Sequence, residues 1–297
     1  MGTKLLIVDG HAYAYRAFHA IRELRSPTGQ PTNAIFGFTK MLGRMREKVK
    51  PSHLLVVWDG GLSSERVDLI PEYKAQRPAM PDALSDQIEQ IIDFLKGVGV
   101  CSVRQEGVEA DDIIAAWVKR ATDAGGEVVI ASSDKDFFQL VGPSVGLLNP
   151  ADKSERIWHA EEVLAKTGVF PSQVVDWLSL VGDAVDNIPG VPGVGPKTAA
   201  ELLGQFGSVK QLFLELEGVK SERLRSRLSA AKEDVLRNQE MIRLKDDLEL
   251  DLALEELVPK MPDYVRCLEL ARHWGFKGMA NEFQASLDKQ GELFGVV

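Results

Sequence analysis

The chain has 297 residues, 44% hydrophobic and 27% charged, which supplies one large or two modest cores and excludes a disordered chain. The apolar run from Leu5 to Val8 is closed at once by Asp9, too short for a signal sequence, and no other stretch reaches the length of a membrane span. Only two cysteines, Cys101 and Cys267, occur, far apart and in apolar surroundings, so a disulfide framework is excluded and a reduced, soluble, cytoplasmic protein is expected.

The net charge of −9 speaks against a nucleic-acid partner until its distribution is considered. Residues 1–80 carry 12 Lys/Arg against 7 Asp/Glu, residues 81–186 carry 8 against 19, and residues 187–297 carry 15 against 18. The acidity is concentrated in the middle. Setting aside the nine carboxylates assigned below to one metal site leaves the rest of the chain neutral.

The first 150 residues alternate short apolar runs with helical patterns, which predicts an α/β unit with a central, mostly parallel sheet. The predicted strands are Leu5–Asp9, Leu54–Asp59, Val100–Arg104, Val128–Ser132 and Val145–Leu148, mostly continuous and β-branched as strands buried on both faces require. From Pro171 the strand pattern stops, and helices are predicted at Val174–Val181, Thr198–Phe206, Glu222–Leu244 and Asp263–Trp274. The reading divides the chain into an α/β core over 1–170, a helical region over 171–284 and a tail over 285–297 without helical periodicity.

Acids at the carboxyl ends of parallel strands converge on one crevice. Here the first strand ends in Asp9, the second in Asp59, and the fourth leads into Asp134 and Asp136; the third leads to Glu109, Asp111 and Asp112 at a helix start. Taken singly, each reads as a turn residue or a helix cap. Taken together, the uncompensated acids would repel and bind protons, and divalent cations remove that cost. Hard oxygen ligands without a His or Cys pair select Mg²⁺, with Mn²⁺ as substitute, and two such ions suit phosphodiester hydrolysis. Asp183 and Asp186, three residues apart at a turn, complete the nine.

Next comes a Gly-rich hairpin between two helices, over 186–207, with Gly190, Gly193, Gly195, Lys197 and Thr198. Glycines admit a phosphate close to the backbone, the following helix start offers amides, and Lys197 adds charge. An ordinary helical corner is the plain alternative; a P-loop is disfavoured because Pro196 removes the amide such a loop uses. In the strip Tyr73-Lys74-Ala-Gln-Arg77 an aromatic is interleaved with cations, as in grips on single strands, and Arg16 adds charge near Asp9. For Tyr13, Tyr15 and Phe18, core packing is expected.

These residues, in order and spacing, resemble the bacterial 5′ nuclease family found at the N-terminus of DNA polymerase I: Ile-Val-Asp9-Gly, Tyr73-Lys-x-x-Arg77, Val-Glu109-Ala-Asp-Asp112, Ser-Asp134-Lys-Asp136 and Gly-Asp183-x-x-Asp186-Asn-Ile-Pro-Gly. The resemblance implies a flap-endonuclease core with a helix-three-turn-helix element, and structure-specific cleavage of DNA at 5′ flaps in Okazaki-fragment processing and repair. It implies that Asp9, Asp59, Glu109, Asp111, Asp112, Asp134, Asp136, Asp183 and Asp186 hold metal or surround it, and that Lys74 and Arg77 contact the scissile phosphate. It also implies a K⁺ ion at 188–198 and a monomer acting on nucleoid DNA. Polymerase relatives continue beyond the point where this chain stops, so a stand-alone nuclease or a separated domain is expected. A PIN-type ribonuclease and a non-catalytic junction binder are the rivals. Finally, Gln290-x-x-Leu293-Phe294 is similar to peptides that dock on the bacterial sliding clamp.

Overall fold

A computed structural model describes residues 2–152, 154 and 156–294, with side chains described as far as Gln290. Five parallel strands form the sheet: β1 (Lys4–Asp9), then, after α1 (Gly10–Ala20) and α2 (Asn33–Val49), β2 (His53–Trp58). Helices α3 (Ser64–Leu69) and α4 (Asp82–Gly97) lead to β3 (Cys101–Arg104), and α5 (Ala110–Asp123) leads to β4 (Glu127–Ala131) and β5 (Val145–Leu148). A short antiparallel edge strand, β6 (Ile157–Trp158), and α6 (Ala160–Thr167) follow. The order β3-β2-β1-β4-β5-β6 reverses direction between β1 and β4, which creates a switch-point crevice at their carboxyl ends.

The sheet residues of β1 and β2 are almost wholly buried because both faces are covered. One face packs on α1, α2 and α4; the other packs on α5 and continues into the core of the helical region. That region comprises α7 (Val174–Val181), a two-residue ladder of β7 (Gly182–Asp183) with β8 (Ile188–Pro189), α8 (Pro196–Phe206), α9 (Val209–Leu214), α10 (Glu222–Ala230) and α11 (Lys232–Ile242). Last come α12 (Tyr264–His273), which packs on α4, and α13 (Lys277–Phe294). Among the described residues, no helix is long and apolar enough to cross a membrane.

Two expectations are corrected, and β6 was not expected. The helix expected over Glu222–Leu244 is two, because Ala231 turns out of helical geometry at φ −96°, ψ 8° and is buried there. The edge strand β6 is two residues long, too short to register as a pattern. Residues 285–294 are not an irregular tail but the second half of α13. Met279, Phe283 and Leu287 recur at helical spacing and pack on Leu268 and Ala271, and that packing outweighs the roughly 1 kcal/mol that Gly291 costs inside a helix.

Candidate active site

The crevice is lined first by Asp9, which caps α1: its Oδ1 accepts from Ala12 N at 3.0 Å and its Oδ2 from Ser132 Oγ at 2.8 Å. Ser132 follows β4 and also accepts from Asp134 N at 3.1 Å, so one hydroxyl ties the acids of the two central strands together. Burial pushes the Asp9 carboxyl up to about 6 despite these bonds, and the Asp134 and Asp59 charges add to the effect. Asp59 follows β2, with its Oδ1 accepting from Gly61 N at 2.9 Å and its own N–H donating to His11 Nδ1 at 3.0 Å.

Asp134 Oδ1 accepts from Asp136 N at 2.9 Å, which turns the chain so that Asp136 enters the crevice. Asp136, Asp183 and Asp186, all buried, each offer a carboxylate oxygen within 4.8 Å of the others. One oxygen of Asp136, Oδ1, is buried without a hydrogen-bond partner. Burial drives Asp111, Asp134 and Asp136 upward, and their neighbouring carboxylates reinforce the shift. An orphaned carboxylate oxygen among like charges fits a divalent cation.

Two other acids are differently placed. Glu109 is fully buried, and burial alone would raise it; the Lys74 ammonium beside it, then Arg66 and Ser63 N–H, hold it below the usual range instead. Asp112 is bound by both guanidinium nitrogens of Arg66, at 2.7 and 2.8 Å, and by Lys245 N at 3.0 Å. With these contacts filling its oxygens, Asp112 is held as a partner for Arg66 beside the crevice acids, the second of the two roles expected for it.

The cationic strip is also partly corrected. Tyr73 is 4% exposed, and its hydroxyl donates to Glu109 Oε2 at 3.1 Å, so it is unavailable for stacking on a strand. The preceding turn buries its ring in the sheet's core. Lys74 is likewise buried, with a left-handed φ of 55° held by its N–H donating to Asp186 O at 3.1 Å, and its ammonium meets Glu109. Burial would lower Lys74, but the carboxylates of Glu109, Asp111 and Asp186 outweigh it and raise it. Arg77 is half-exposed and donates to Asp186 Oδ1 at 2.5 Å. The cation Lys135, 3.3 Å from Asp183 Oδ2, escaped the sequence reading because it lies between two acids.

The hairpin follows the acidic pair directly. A Cβ on Gly190 would come within 2.1 Å of Val181 O, so only glycine closes the β7–β8 ladder against the end of α7. Gly193 has φ +79°, and Gly195 precedes the first turn of α8 with open space around it. Lys197 is exposed there, next to Thr198, and first-turn amides have no acceptor within a helix. Arg16 is exposed on α1, away from these, and lines a cavity of about 340 Å³ with Arg44 and Lys48 of α2.

Carboxylates without His or Cys partners, gathered at the switch point of an α/β sheet beside a Gly-rich hairpin, define a metal-dependent nuclease. Residues 4–168 match the 5′-3′ exonuclease N-terminal resolvase-like domain and residues 169–265 its C-terminal SAM fold. The chain belongs to the 5′-3′ exonuclease family. It is 38% identical over 278 residues to a 5′-3′ exonuclease of Aquifex aeolicus, covering 94% of each chain. It is 34% identical to DNA polymerase I of Bacillus caldotenax over 96% of its own length but spans only 33% of that relative. In structure it resembles phage T5 5′-exonuclease with bound zinc, at TM-score 0.67 and 22% identity over 96% of this chain and 98% of that one. It also resembles the catalytic core of Rad2 in complex with DNA substrate, at TM-score 0.66 and 17% identity over 96% and 92%. At those identities the likeness is one of fold.

Proposed function

We propose that the chain hydrolyses DNA phosphodiesters at 5′ flaps and single-strand-to-duplex junctions, using two Mg²⁺ ions, in Okazaki-fragment processing and repair of nucleoid DNA. The observation that carries this reading is the buried trio Asp136, Asp183 and Asp186 with its unpartnered Asp136 oxygen. In this reading Asp136, Asp183 and Asp186 would hold one ion, and Asp9, Asp111 and Asp134 the other, with Glu109 and Asp59 beside them. Bound ions supply neutralisation of phosphate charge and activation of a water.

The chain's own residues do the rest. Lys74 and Arg77 flank Asp186 and place positive charge where a scissile phosphate enters, with the half-exposed Arg77 meeting it first. Lys135 offsets Asp183 on another side. The hairpin grips duplex backbone through Gly190, Gly193, Gly195, Lys197 and Thr198, with K⁺ held by carbonyls of residues 188–198, and Arg16 adds a further contact. The T5 and Rad2 structures, one with divalent metal and one with DNA substrate, support this assignment. The reading is tested with a labelled double-flap DNA and Mg²⁺: products cut at the junction are expected, whereas cleavage of RNA alone, or binding without cleavage, removes it.

Lys197→Ala is expected to weaken duplex binding evenly across sequences and to lower the salt slope of binding by about one. Titrations over a range of salt check this; an unchanged slope leaves the hairpin a plain corner.

Docking on a sliding clamp is also proposed for the end of α13. Its Gln290 contacts Met261, Nε2 to Sδ at 3.6 Å, while the side chains of Leu293 and Phe294 lie outside the described residues. The spacing Gln290-x-x-Leu293-Phe294 suits a polar anchor beside an apolar pair in one shallow cleft. The joint variant Leu293→Ala, Phe294→Ala is expected to lose clamp binding at least tenfold in a titration. Equal binding by both proteins, or none by either, ends the idea.

A further inference from the structure

Helix α11 leaves the helical region through residues 241–245, and this main chain is bonded residue by residue to three side chains beside the acids. Arg66 Nε donates to Met241 O at 2.9 Å and Arg66 Nη2 to Arg243 O at 3.2 Å. Gln139 Nε2 donates to Ile242 O at 3.1 Å, and its Oε1 accepts from Leu244 N at 3.1 Å. Asp112 Oδ1 accepts from Lys245 N at 3.0 Å.

Each of the three also reaches into the acidic motifs. Gln139 Nε2 donates a second time, to Asp136 O at 2.9 Å, and Arg66 Nη1 lies 3.4 Å from Glu109 Oε1 while Asp112 holds its guanidinium in a two-pronged pair. One turn earlier α11 is fastened to α7 and to the start of the hairpin. Asn238, fully buried, donates from Nδ2 to Ser179 O at 3.2 Å and to Pro189 O at 2.7 Å. A series of hydrogen bonds therefore runs from the hairpin, through α11 and residues 241–245, to the main chain of Asp136, and through the Arg66 ion pair to Glu109.

We propose that Arg66, Asp112 and Gln139 are positioning residues that set the Glu109 and Asp136 carboxylates according to whether duplex DNA is docked on the hairpin. The inference rests on the nuclease reading above. Arg66 suits the task because its rigid fork serves a carboxylate and two carbonyls at once, which a lysine in its place would not. Gln139 suits it because one amide joins two separate stretches of main chain. Docking on the hairpin restrains α11 through Asn238, the restraint passes to residues 241–245, and the two acids are held in register for cleavage. A chain of contacts alone shows no coupling, so the test is a mutant cycle.

Gln139→Glu keeps the side chain's length and its acceptor for Leu244 N, but puts an oxygen where the amide donates to two carbonyls. Single-turnover cleavage at saturating DNA and Mg²⁺ would be followed for the wild type, Gln139→Glu, Asn238→Leu, which cuts the link from hairpin to α11, and the double variant. Two substrates would be used: a flapped duplex, and a single-stranded oligonucleotide too short to reach the hairpin. Gln139→Glu is expected to slow flap cleavage about tenfold or more and oligonucleotide cleavage less than about twofold. In the Asn238→Leu background, Gln139→Glu is expected to cost less than about twofold further. Arg66→Lys, with its charge kept and its fork lost, is expected to behave as Gln139→Glu does. Equal slowing on both substrates, or losses that multiply independently, would show a merely structural role and overturn the proposal. A wild type that makes no flap product at all would overturn this inference together with the reading beneath it.

Discussion

Asp134→Asn is expected to cut single-turnover cleavage of flap DNA by about a thousandfold or more while junction binding survives or tightens. The side chain sits where burial and then the charges of Asp186 and Asp183 drive it upward, and a bound cation would favour its ionised form. Asparagine preserves the acceptor for Asp136 N, which shapes the turn, but removes the charge. What is lost is several kcal/mol of charge stabilisation in the transition state. What is gained is one fewer negative charge facing phosphate. Rates in Mg²⁺ and binding in a chelator check the two halves separately, and full activity of the variant would remove the two-ion reading.

The second large effect is on stability and its pH dependence. The Asp9 carboxyl stands at about 6 against an ordinary 3.8, so the folded protein holds its proton more tightly than the unfolded chain does. Its contribution is fully present below pH 3.8 and is lost as pH rises through 6. Above that window the metal-free protein forgoes about 3 kcal/mol on account of this one buried carboxylate. Asp9→Asn, which can still accept from Ala12 N and bond to Ser132, is therefore expected to match the wild type at pH 4 and to exceed it by about 3 kcal/mol at pH 7 in chelator. Mg²⁺ should narrow the gap by stabilising the wild type, since a ligand that binds only the folded state shifts the balance toward it. Denaturant melts across pH, with and without Mg²⁺, measure both. A constant difference across pH would mean that Asp9 is not the titrating group.

Much of the site was legible because acids at strand ends are a pattern of chemistry and not only of shape. The five parallel strands appeared as apolar runs within a residue of their observed bounds, and Val174–Val181 was read with the same limits. The acids after β1 and β4 met at the switch point, as parallel topology requires. What stayed hidden was which polar residues are buried. Tyr73 in a run of cations looks like a surface, and only the tertiary fold turns its ring inward against Glu109. Asp112 was indistinguishable from Asp111 in sequence, one residue apart on α5; a helix step of about 100° sends one toward the crevice acids and the other to Arg66. Gln139 and Asn238 carried no signal, because amides bonding main chain far along the sequence have no local pattern. The helix at the C-terminus was missed because its packing partners lie in α12, not within its own residues.

The contacts made by residues 241–245 bear on when this protein becomes dangerous to DNA. Asp9 emerges first during synthesis, Asp186 much later, and the segment that braces Gln139, Arg66 and Asp112 later still. Domains acquire structure as the chain leaves the ribosome, at about 5–20 residues per second, so roughly 10–50 s separate the first acid from the last brace. Until Asp186 has been made, the trio it forms with Asp136 and Asp183 cannot assemble. The long sequence separation within this site thus delays its assembly until much of the chain has been made.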